Sequence, residues 1–415
     1  MVLFAKLLKE SMLFAYSSVV VNKLRTFLTL LGITIGIFAI ISVFTILNSM
    51  ETNVRESISS LGSDVIYIQK WPWSFESDYP WWEYIKRPEP DLNDYKELKR
   101  RSRLADAVCL SSQVSRQIKY GNNYTEKIDI MMNTHEYFDI KPFELEYGRY
   151  FSPVESEFGR NCCIIGNNIA SQLFENQNPV GKEVKLMGRK LLVIGVVKKM
   201  GKDFLGASSL DDAALIPLNY GKYLFDIRYI GASLMVKAKV GVSLGELQEE
   251  LRIIMRSIRK IRPLEKENFA LNQTSLLNKM TDSIFKVINL AGWIIGGFSI
   301  LVGGFGIANI MFVSVKERTH IIGIQKACGA KRYVILVQFL SEAVILAIAG
   351  GIIGLLLVFC GTLIVNSLSS FTITLTLGNV ITGLLVSGII GVVSGFAPAW
   401  SAARLSPVDA INTHF

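Results

Sequence analysis

The residue types that most often do chemistry are few in this sequence and lie far apart. Its three histidines are His135, His320 and His414, and its five cysteines include no Cys-x-x-Cys pair. A structural zinc site needs about four such ligands at characteristic spacings, so the sequence predicts no metal site. The adjacent Cys162 and Cys163 lie in an apolar run, which favours buried thiols over a strained disulfide. No serine or cysteine nucleophile can be matched with a histidine and a carboxylate, which argues against an enzyme.

Nucleotide chemistry is not indicated either. The sequence contains no Gly-x-x-x-x-Gly-Lys-Ser/Thr phosphate loop. The segment NPVGK, which ends at Lys182, lacks both the first glycine and the hydroxyl residue of that loop. We therefore expect no cofactor in this chain, and an energy-coupled process would need a second subunit that supplies the energy.

A compact group of charged residues interrupts the apolar carboxy-terminal third. This polar island runs from Lys316 to Arg332 and contains the basic residues Lys316, Arg318, Lys326, Lys331 and Arg332. A short basic loop between two membrane spans favours the cytoplasmic side. Within the island, residues 315–327 are expected to form a short helix that Gly329 ends. On this helix Ile321, Ile322 and Ile324 offer apolar contacts among charged neighbours. The alternative is a solvated turn with anchoring charges.

Apolar runs on either side of the island are long enough to cross a bilayer, which takes about 20 helical residues. We predict four spans: residues 26–47, a span that ends near Phe312, residues 333–365 and residues 380–398. Glu342 lies inside the third span, either as a functional group or, by preference, as a structural anchor. The net charge is +9. Much of the basic excess flanks the spans, which favours the lipid bilayer, and not nucleic acid, as a partner.

Residues 62–267 differ from the spans in composition. Strand-like pieces such as DVIYIQ, NCCIIG, KLLVIGVVKK and AALIPL alternate with helical pieces such as DLNDYKELKRRS, which predicts an α+β domain outside the cytoplasm. An insertion in this domain carries Trp71, Trp73, Trp81 and Trp82. These rings could form a partner surface, but packing on the domain or at the membrane interface is favoured.

Helical periodicity continues beyond the first span and precedes the second. Met50, Val54, Ile58 and Leu61 follow one another at helical steps, and so do the returning residues, namely Leu276, Met280 and Ile284. We expect these two stripes to face each other as a helical stalk. Residues 1–25 are expected to form a retained amphipathic helix on the cytoplasmic face of the membrane.

The run VSVKERTHIIGIQKACGAKRYVILVQFLSEAVILAIAGGIIG resembles the carboxy-terminal permease module of MacB- and FtsX-type ABC transporters. The residues that carry the pattern, and that the resemblance assigns to ATPase coupling, are Glu317, Arg318, Thr319, Ile322, Gly323, Lys326, Ala327, Gly329 and Ala330. The pieces GRYF, NPVGK and VIGV resemble the extracytoplasmic domain of MacB-type permeases, and the tail from Pro398 to Ala410 resembles the end of that family's sequences.

The resemblance implies a membrane α-helical protein with four transmembrane helices and a large α+β extracytoplasmic domain on helical stalks. It implies a non-catalytic homodimer in the bacterial inner membrane, with a periplasmic domain and both termini cytoplasmic. A separate ABC ATPase subunit, which binds ATP and magnesium, would dock on the island, and no nucleotide-binding domain would be fused to this chain. A membrane-fusion adaptor and an outer-membrane channel are further possible partners.

The function that follows is mechanotransmission: ATPase-driven motion crosses the membrane to the outer domain, for efflux or export. Lipoprotein release and FtsX-like regulation of an envelope hydrolase are the alternatives within the family, and a membrane-anchored enzyme is the alternative outside it. The expected domains are residues 1–49, the amphipathic segment and first span; residues 50–283, the stalk and outer domain; and residues 284–415, the permease module.

Overall fold

A computed structural model of the chain describes residues 23–74, 79–175, 177–200, 210–226, 230–368 and 373–412. The chain divides into two compact units. We call residues 1–52 with 284–415 the helical unit, and residues 53–283 the sheet unit. The amphipathic segment predicted over residues 1–25 lies almost wholly outside the described residues.

The described residues form helices and strands in the following order. The helices are α1 (Lys23–Ser59), α2 (Trp81–Tyr84), α3 (Leu92–Arg101), α4 (Tyr137–Ile140), α5 (Pro153–Glu157), α6 (Asn167–Phe174), α7 (Leu218–Leu224), α8 (Leu244–Ile258), α9 (Thr274–Glu317), α10 (Thr319–Ala327), α11 (Arg332–Leu368), α12 (Leu377–Arg404) and α13 (Pro407–Asn412). The strands are β1 (Val65–Gln69), β2 (Ala105–Arg116), β3 (Ile118–Tyr120), β4 (Asn123–Tyr124), β5 (Ile128–Asn133), β6 (Leu145–Gly148), β7 (Cys162–Ile165), β8 (Glu183–Leu186), β9 (Arg189–Val197), β10 (Ala213–Pro217), β11 (Ala232–Ala238) and β12 (Ala270–Gln273).

Four helices of the described chain, α1, α9, α11 and α12, are long and apolar enough to cross a membrane. They coincide with the four predicted spans, and the prediction of a four-span membrane protein is confirmed. Each helix is longer than its predicted span. The helix α9, at 44 residues, measures about 66 Å at 1.5 Å per residue, about twice the thickness of a hydrocarbon core.

Small residues let the long helices of the helical unit approach closely. A Cβ atom added to Gly391 of α12 would lie 2.8 Å from the Val344 Cα atom and 2.9 Å from the Ala347 Cβ atom of α11. One added to Gly36 of α1 would lie 2.9 Å from the backbone oxygen of Ser299 in α9. Lipid tails are as apolar as the side chains, so the hydrophobic effect does not drive helices together within a membrane. Close packing of this kind drives their association instead.

The sheet unit is built on one twelve-stranded sheet in the order β12-β1-β11-β2-β5-β10-β7-β9-β8-β3-β4, with β6 paired to β9. The pairs β5/β10 and β7/β9 are parallel. The strand β1, which follows α1, pairs antiparallel with β12, which precedes α9, with Ile66 opposite Gln273. The Thr274 hydroxyl donates to the Gly62 backbone oxygen at 3.2 Å. This pairing brings the end of α1 and the start of α9 together at one end of the two strands.

Both faces of the sheet are covered. On one face Ile66 and Ile68 join a core that includes Leu98 of α3 and Leu251 of α8. On the other face Val65 and Tyr67 join a second core that includes residues of α4. Strands buried on both faces are expected to be continuously apolar rather than alternating, which explains why the pieces DVIYIQ, NCCIIG and AALIPL were recognisable as strands. The α+β prediction is confirmed.

Candidate functional site

The polar island folds as a short helix that breaks away from a span. The helix α9 ends at Glu317, Arg318 separates the two helices with φ −104° and ψ 12°, and α10 begins at Thr319. The Thr319 hydroxyl donates to the backbone oxygens of Val315 and Lys316 at 3.1 and 2.9 Å. It thus satisfies carbonyl groups that a helix end leaves without partners. A single helix over residues 315–327 was expected, and the structure instead divides it at Arg318.

Gly329 ends α10 as expected. Its φ of +94° is in the left-handed region that a residue with a Cβ atom rarely adopts. The Ala330 backbone N–H donates to the Gln325 backbone oxygen, and the Gly329 N–H donates to that of Lys326, both at 3.0 Å. These two bonds form the Schellman arrangement of a helix carboxy terminus, so the length of α10 is fixed by backbone chemistry.

One face of α10 is buried within the helical unit. Ile322 is 1% exposed and belongs to a core with Ile335, Phe339 and Ala402, and Gly323 is also buried. The helices α10 and α13 are in contact as well. Apolar packing therefore fixes the orientation of α10 about its own axis.

Two basic side chains connect α10 to two different spans. Arg318 Nη1 lies 3.4 Å from Glu342 Oε2 of α11, and the side chains are 21% and 6% exposed. Lys326 Nζ donates to the backbone oxygens of Ala403 and Leu405 at 2.8 and 2.6 Å, at the carboxy-terminal end of α12. Burial lowers the pKa of the Lys326 amine, and the nearby charge of Arg332 lowers it further.

The opposite face of α10 is open and partly apolar. Ile321 and Ile324 are 49% and 47% exposed. They lie beside the exposed residues Glu317, His320, Ala327 and Cys328. Within α10, His320, Ile321, Ile324, Ala327 and Cys328 are related by steps of three or four positions through Ile324, so they share one side of the helix. Two isoleucines on this side form an apolar surface that could be covered by a partner.

The structure divides the predicted coupling residues between the two faces. Arg318, Ile322, Gly323 and Lys326 make contacts inside the helical unit, Glu317, Ala327 and Gly329 are exposed, and Thr319 and Ala330 are half-buried. The sequence indicates Ile321, Ile322 and Ile324 as apolar contacts of this helix, but of the three only Ile322 belongs to the predicted coupling residues. The spacing of three between Ile321 and Ile324 was visible, but an apolar residue also stands at position 322, and periodicity does not decide which face of so short a helix is buried.

The predicted stalk residues lie in α1 and α9 or directly after α1, but they do not all face inward. Ile58 is buried, and Met50, Val54, Leu61 and Met280 are half-buried. Leu276 and Ile284 are exposed, whereas Thr281 on the same helix is buried. Within the sheet unit Arg55 of α1 and Asp282 of α9 form an ion pair at 2.6 Å. The expectation that Leu276 and Ile284 face the first stripe is therefore wrong, because a different side of α9 is turned inward.

The tryptophan-rich insertion is divided as well. The Trp73 ring packs on Tyr67 with 5.1 Å between centroids, whereas Trp81 and Trp82 of α2 are exposed. Arg87 donates to the backbone oxygens of Lys70 and Phe269, which ties the insertion to the ends of β1 and β12. This is the end of the strand pair opposite to α1 and α9. The favoured packing on the domain holds for Trp73 and not for the exposed pair.

Two protein-family models match this sequence. A MacB-like periplasmic core domain matches residues 26–254, and an FtsX-like permease C-terminal domain matches residues 293–407. Together they match residues in both units of the structure.

Individual relatives agree with the family models. The macrolide export ATP-binding/permease protein MacB of Neisseria gonorrhoeae is 32% identical over 406 residues, which are 97% of this chain and 60% of that protein. The ABC transporter permease YknZ of Bacillus subtilis is 31% identical over 419 residues, which are 98% of this chain and 99% of that protein. The chain thus spans 60% of the length of its MacB relative and nearly the full length of YknZ.

Among solved structures, the periplasmic region of MacB from Actinobacillus actinomycetemcomitans matches with a TM-score of 0.44 and 19% sequence identity. The match covers 55% of this chain and 97% of that chain.

Proposed function

Because this chain belongs to the family of MacB- and FtsX-type permeases of ABC transporters, we propose that it transmits the motion of an ABC ATPase across the membrane. The ATPase is a separate subunit that binds ATP and magnesium and docks on α10. The sheet unit, on the other side of the membrane, receives the motion. The observation that carries this proposal is the exposed pair Ile321 and Ile324 on a helix whose opposite face is fixed by packing.

The chemistry of α10 suits a docking element. An amphipathic helix that presents apolar residues at steps of three or four can lie in a groove of a partner protein. Ile321 and Ile324 supply such anchors. The buried apolar packing of Ile322 holds the helix in one orientation before the partner arrives, which lowers the entropy lost on binding.

The orientation in the membrane follows from charge. Lysine and arginine residues in a short loop keep that loop in the cytoplasm, and the polar island carries five of them. In this proposal the chain crosses the membrane four times, which the four candidate spans support, so both termini are cytoplasmic and the sheet unit is periplasmic. The location is the bacterial inner membrane.

We propose a homodimer as the working unit. The exposed apolar positions of α9, which include Leu276 and Ile284, give a second copy a surface to cover. Within one chain, the inward side of α9 includes Thr281 and the ion pair of Arg55 with Asp282. Contact between two copies of α9 on the exposed side would complete the stalk.

Efflux or export is the proposed outcome, with a membrane-fusion adaptor and an outer-membrane channel as partners. The support is the name of the MacB relative, which describes macrolide export. In this proposal the exposed Trp81 and Trp82, at the end of the sheet opposite to α1 and α9, are available to an adaptor. Recovery of a lipoprotein or an envelope hydrolase with the full chain, instead of an adaptor, would favour the other functions of the family.

The docking surface is tested by charge insertion. We expect Ile321→Glu with Ile324→Glu to weaken binding of the ABC ATPase that copurifies with the wild-type chain. A hot-spot loss of 2 kcal/mol or more corresponds to at least about 30-fold in the dissociation constant. Binding is measured on the full chain in lipid nanodiscs by surface plasmon resonance.

The matched control is Ile253→Glu, which places the same charge on an exposed isoleucine of the sheet unit and is expected to leave ATPase binding unchanged. Wild-type affinity in the double variant would contradict docking on α10.

A further inference from the structure

The polar island is attached to the spans by two charged contacts that apolar packing alone would not require. One joins Arg318, at the break between α9 and α10, to Glu342 of α11 at 3.4 Å. The other joins Lys326, in the last turn of α10, to the backbone oxygens of Ala403 and Leu405 at 2.8 and 2.6 Å. The two contacts thus lie near opposite ends of α10 and reach different helices.

The ion pair between Arg318 and Glu342 is energetically costly, because Glu342 lies inside a membrane helix. Glu342 is buried and lies ten residues into α11, which is about 15 Å along the helix axis. A carboxylate inside a membrane helix is expensive unless it is paired, and loss of its partner leaves an uncompensated charge. Ile322 already holds α10 in place by apolar packing, so positioning of the helix alone does not account for the ion pair.

The two kinds of contact differ in how they respond to displacement. Apolar contact is non-directional, so a helix that is pushed along its neighbours can exchange one apolar contact for another. Hydrogen bonds weaken steeply when their angle is distorted, and those that involve a charged group are roughly twice as strong as neutral ones. A displaced α10 therefore moves the helices to which its charged side chains are bonded.

We propose that Arg318 with Glu342, and Lys326 with the end of α12, form a two-point clamp that passes displacement of α10 to the third and fourth spans. This inference rests on the proposed function, since it requires an ATPase that moves α10. Arg318, Glu342 and Lys326 are positioning residues: they act through the spans and not on the nucleotide. Motion then reaches α11 and α12 directly, in addition to its path along α9.

The test separates docking from transmission. The full chain is placed in lipid nanodiscs with the ABC ATPase that copurifies with it, and two quantities are measured: the dissociation constant of the ATPase, and the change in its ATP hydrolysis rate caused by the permease. We expect Glu342→Gln and Arg318→Gln to leave the dissociation constant within about twofold. Both should reduce the permease-dependent change in rate at least about fivefold, the lower end of typical coupling between sites.

A charge exchange and a matched control complete the design. The double variant Arg318→Glu with Glu342→Arg restores the ion pair with inverted polarity and is expected to recover coupling that either single change removes. Lys331→Gln removes one charge from an exposed residue of the same island and should retain wild-type coupling.

The outcomes distinguish the two proposals. Wild-type coupling in Glu342→Gln and Arg318→Gln overturns the clamp and leaves the proposed function standing. Loss of ATPase binding in these variants, without recovery in the charge exchange, also overturns it, because the pair then serves only to fold α10. A wild-type chain that binds no ATPase contradicts the proposed function itself and the clamp with it.

Discussion

The five cysteines differ sharply in environment. Cys109, Cys162 and Cys163 are buried and free, whereas Cys328 and Cys360 are exposed. The preference for buried thiols over a disulfide at positions 162 and 163 is thereby confirmed. Burial raises the pKa of both Cys109 and Cys162 to about 12, which suppresses the reactive thiolate at neutral pH.

These differences predict selective labelling. At pH 7 a charged, membrane-impermeant maleimide should modify Cys328 in intact nanodiscs. The buried thiols should react only after denaturation, because they are shielded and protonated. Cys360, within α11, faces lipid in the proposed arrangement and should also stay unlabelled. Intact-mass spectrometry before and after denaturation counts the labels.

The control for that experiment is Cys328→Ser, which should carry no label in the native state. Modification of Cys109 or Cys163 in the native chain would show that the sheet unit opens far more readily than its burial implies.

At the same scale, single residues show where sequence reasoning stopped. The motif residues Ile322, Gly323 and Lys326 were recognisable from their pattern, but they contact the helical unit itself. Ile321 and Ile324, which form the open face, are expected from the sequence as apolar contacts together with the buried Ile322, so the sequence does not separate the two faces. A helix of nine residues with apolar side chains on both faces gives no amphipathic signal strong enough to choose between them.

At the scale of elements, the contact between α11 and α12 depends on residues without bulk. Gly391 faces α11 at distances that leave no room for a side chain, whereas a Cβ atom at Gly388, on the same helix, meets nothing within 4 Å. Gly391→Val is therefore expected to destabilise the helical unit by about 1–3 kcal/mol through overpacking. The measurement is the thermal unfolding midpoint of the purified chain in detergent.

Gly388→Val is the matched control, because it makes the same substitution one turn away, toward open space. It should change stability by no more than about 0.5 kcal/mol. Equal midpoints for the two variants would mean that α11 and α12 do not pack through Gly391.

The helix α9 illustrates a different difficulty at this scale. Its length and its continuity with the second span were predictable, because periodicity and hydropathy are local properties. The side of α9 that faces inward was not predictable, because Leu276 and Ile284 are apolar yet exposed, while the polar Thr281 is buried. An apolar stripe predicts that a surface will be covered, but it does not say whether the same chain, a second copy or lipid covers it.

At the scale of the whole molecule, the architecture was predictable and the sheet topology was not. Four apolar runs and one mixed domain could be read from composition. The pairing of β1 with β12 joins residues about 200 positions apart, Ile66 and Gln273. No local signal specifies such pairing, because strand register depends on side chains from the whole core. The pair nevertheless determines where α1 and α9 meet.

The proposed transmission of motion can be followed with one label per chain. Val240 is fully exposed in the sheet unit, so a spin label at Val240→Cys reports the distance between the two copies of a homodimer. The exposed thiols are first removed by Cys328→Ser and Cys360→Ser. Double electron–electron resonance is then recorded in nanodiscs with the ATPase, both without nucleotide and with ATP trapped by an inactive ATPase variant.

We expect trapped ATP to shift this distance distribution, and we expect Ile321→Glu with Ile324→Glu to abolish the shift while the chain remains folded. An unchanged distribution on ATP binding would contradict the proposed transmission of motion, and so would the same shift in the absence of the ATPase.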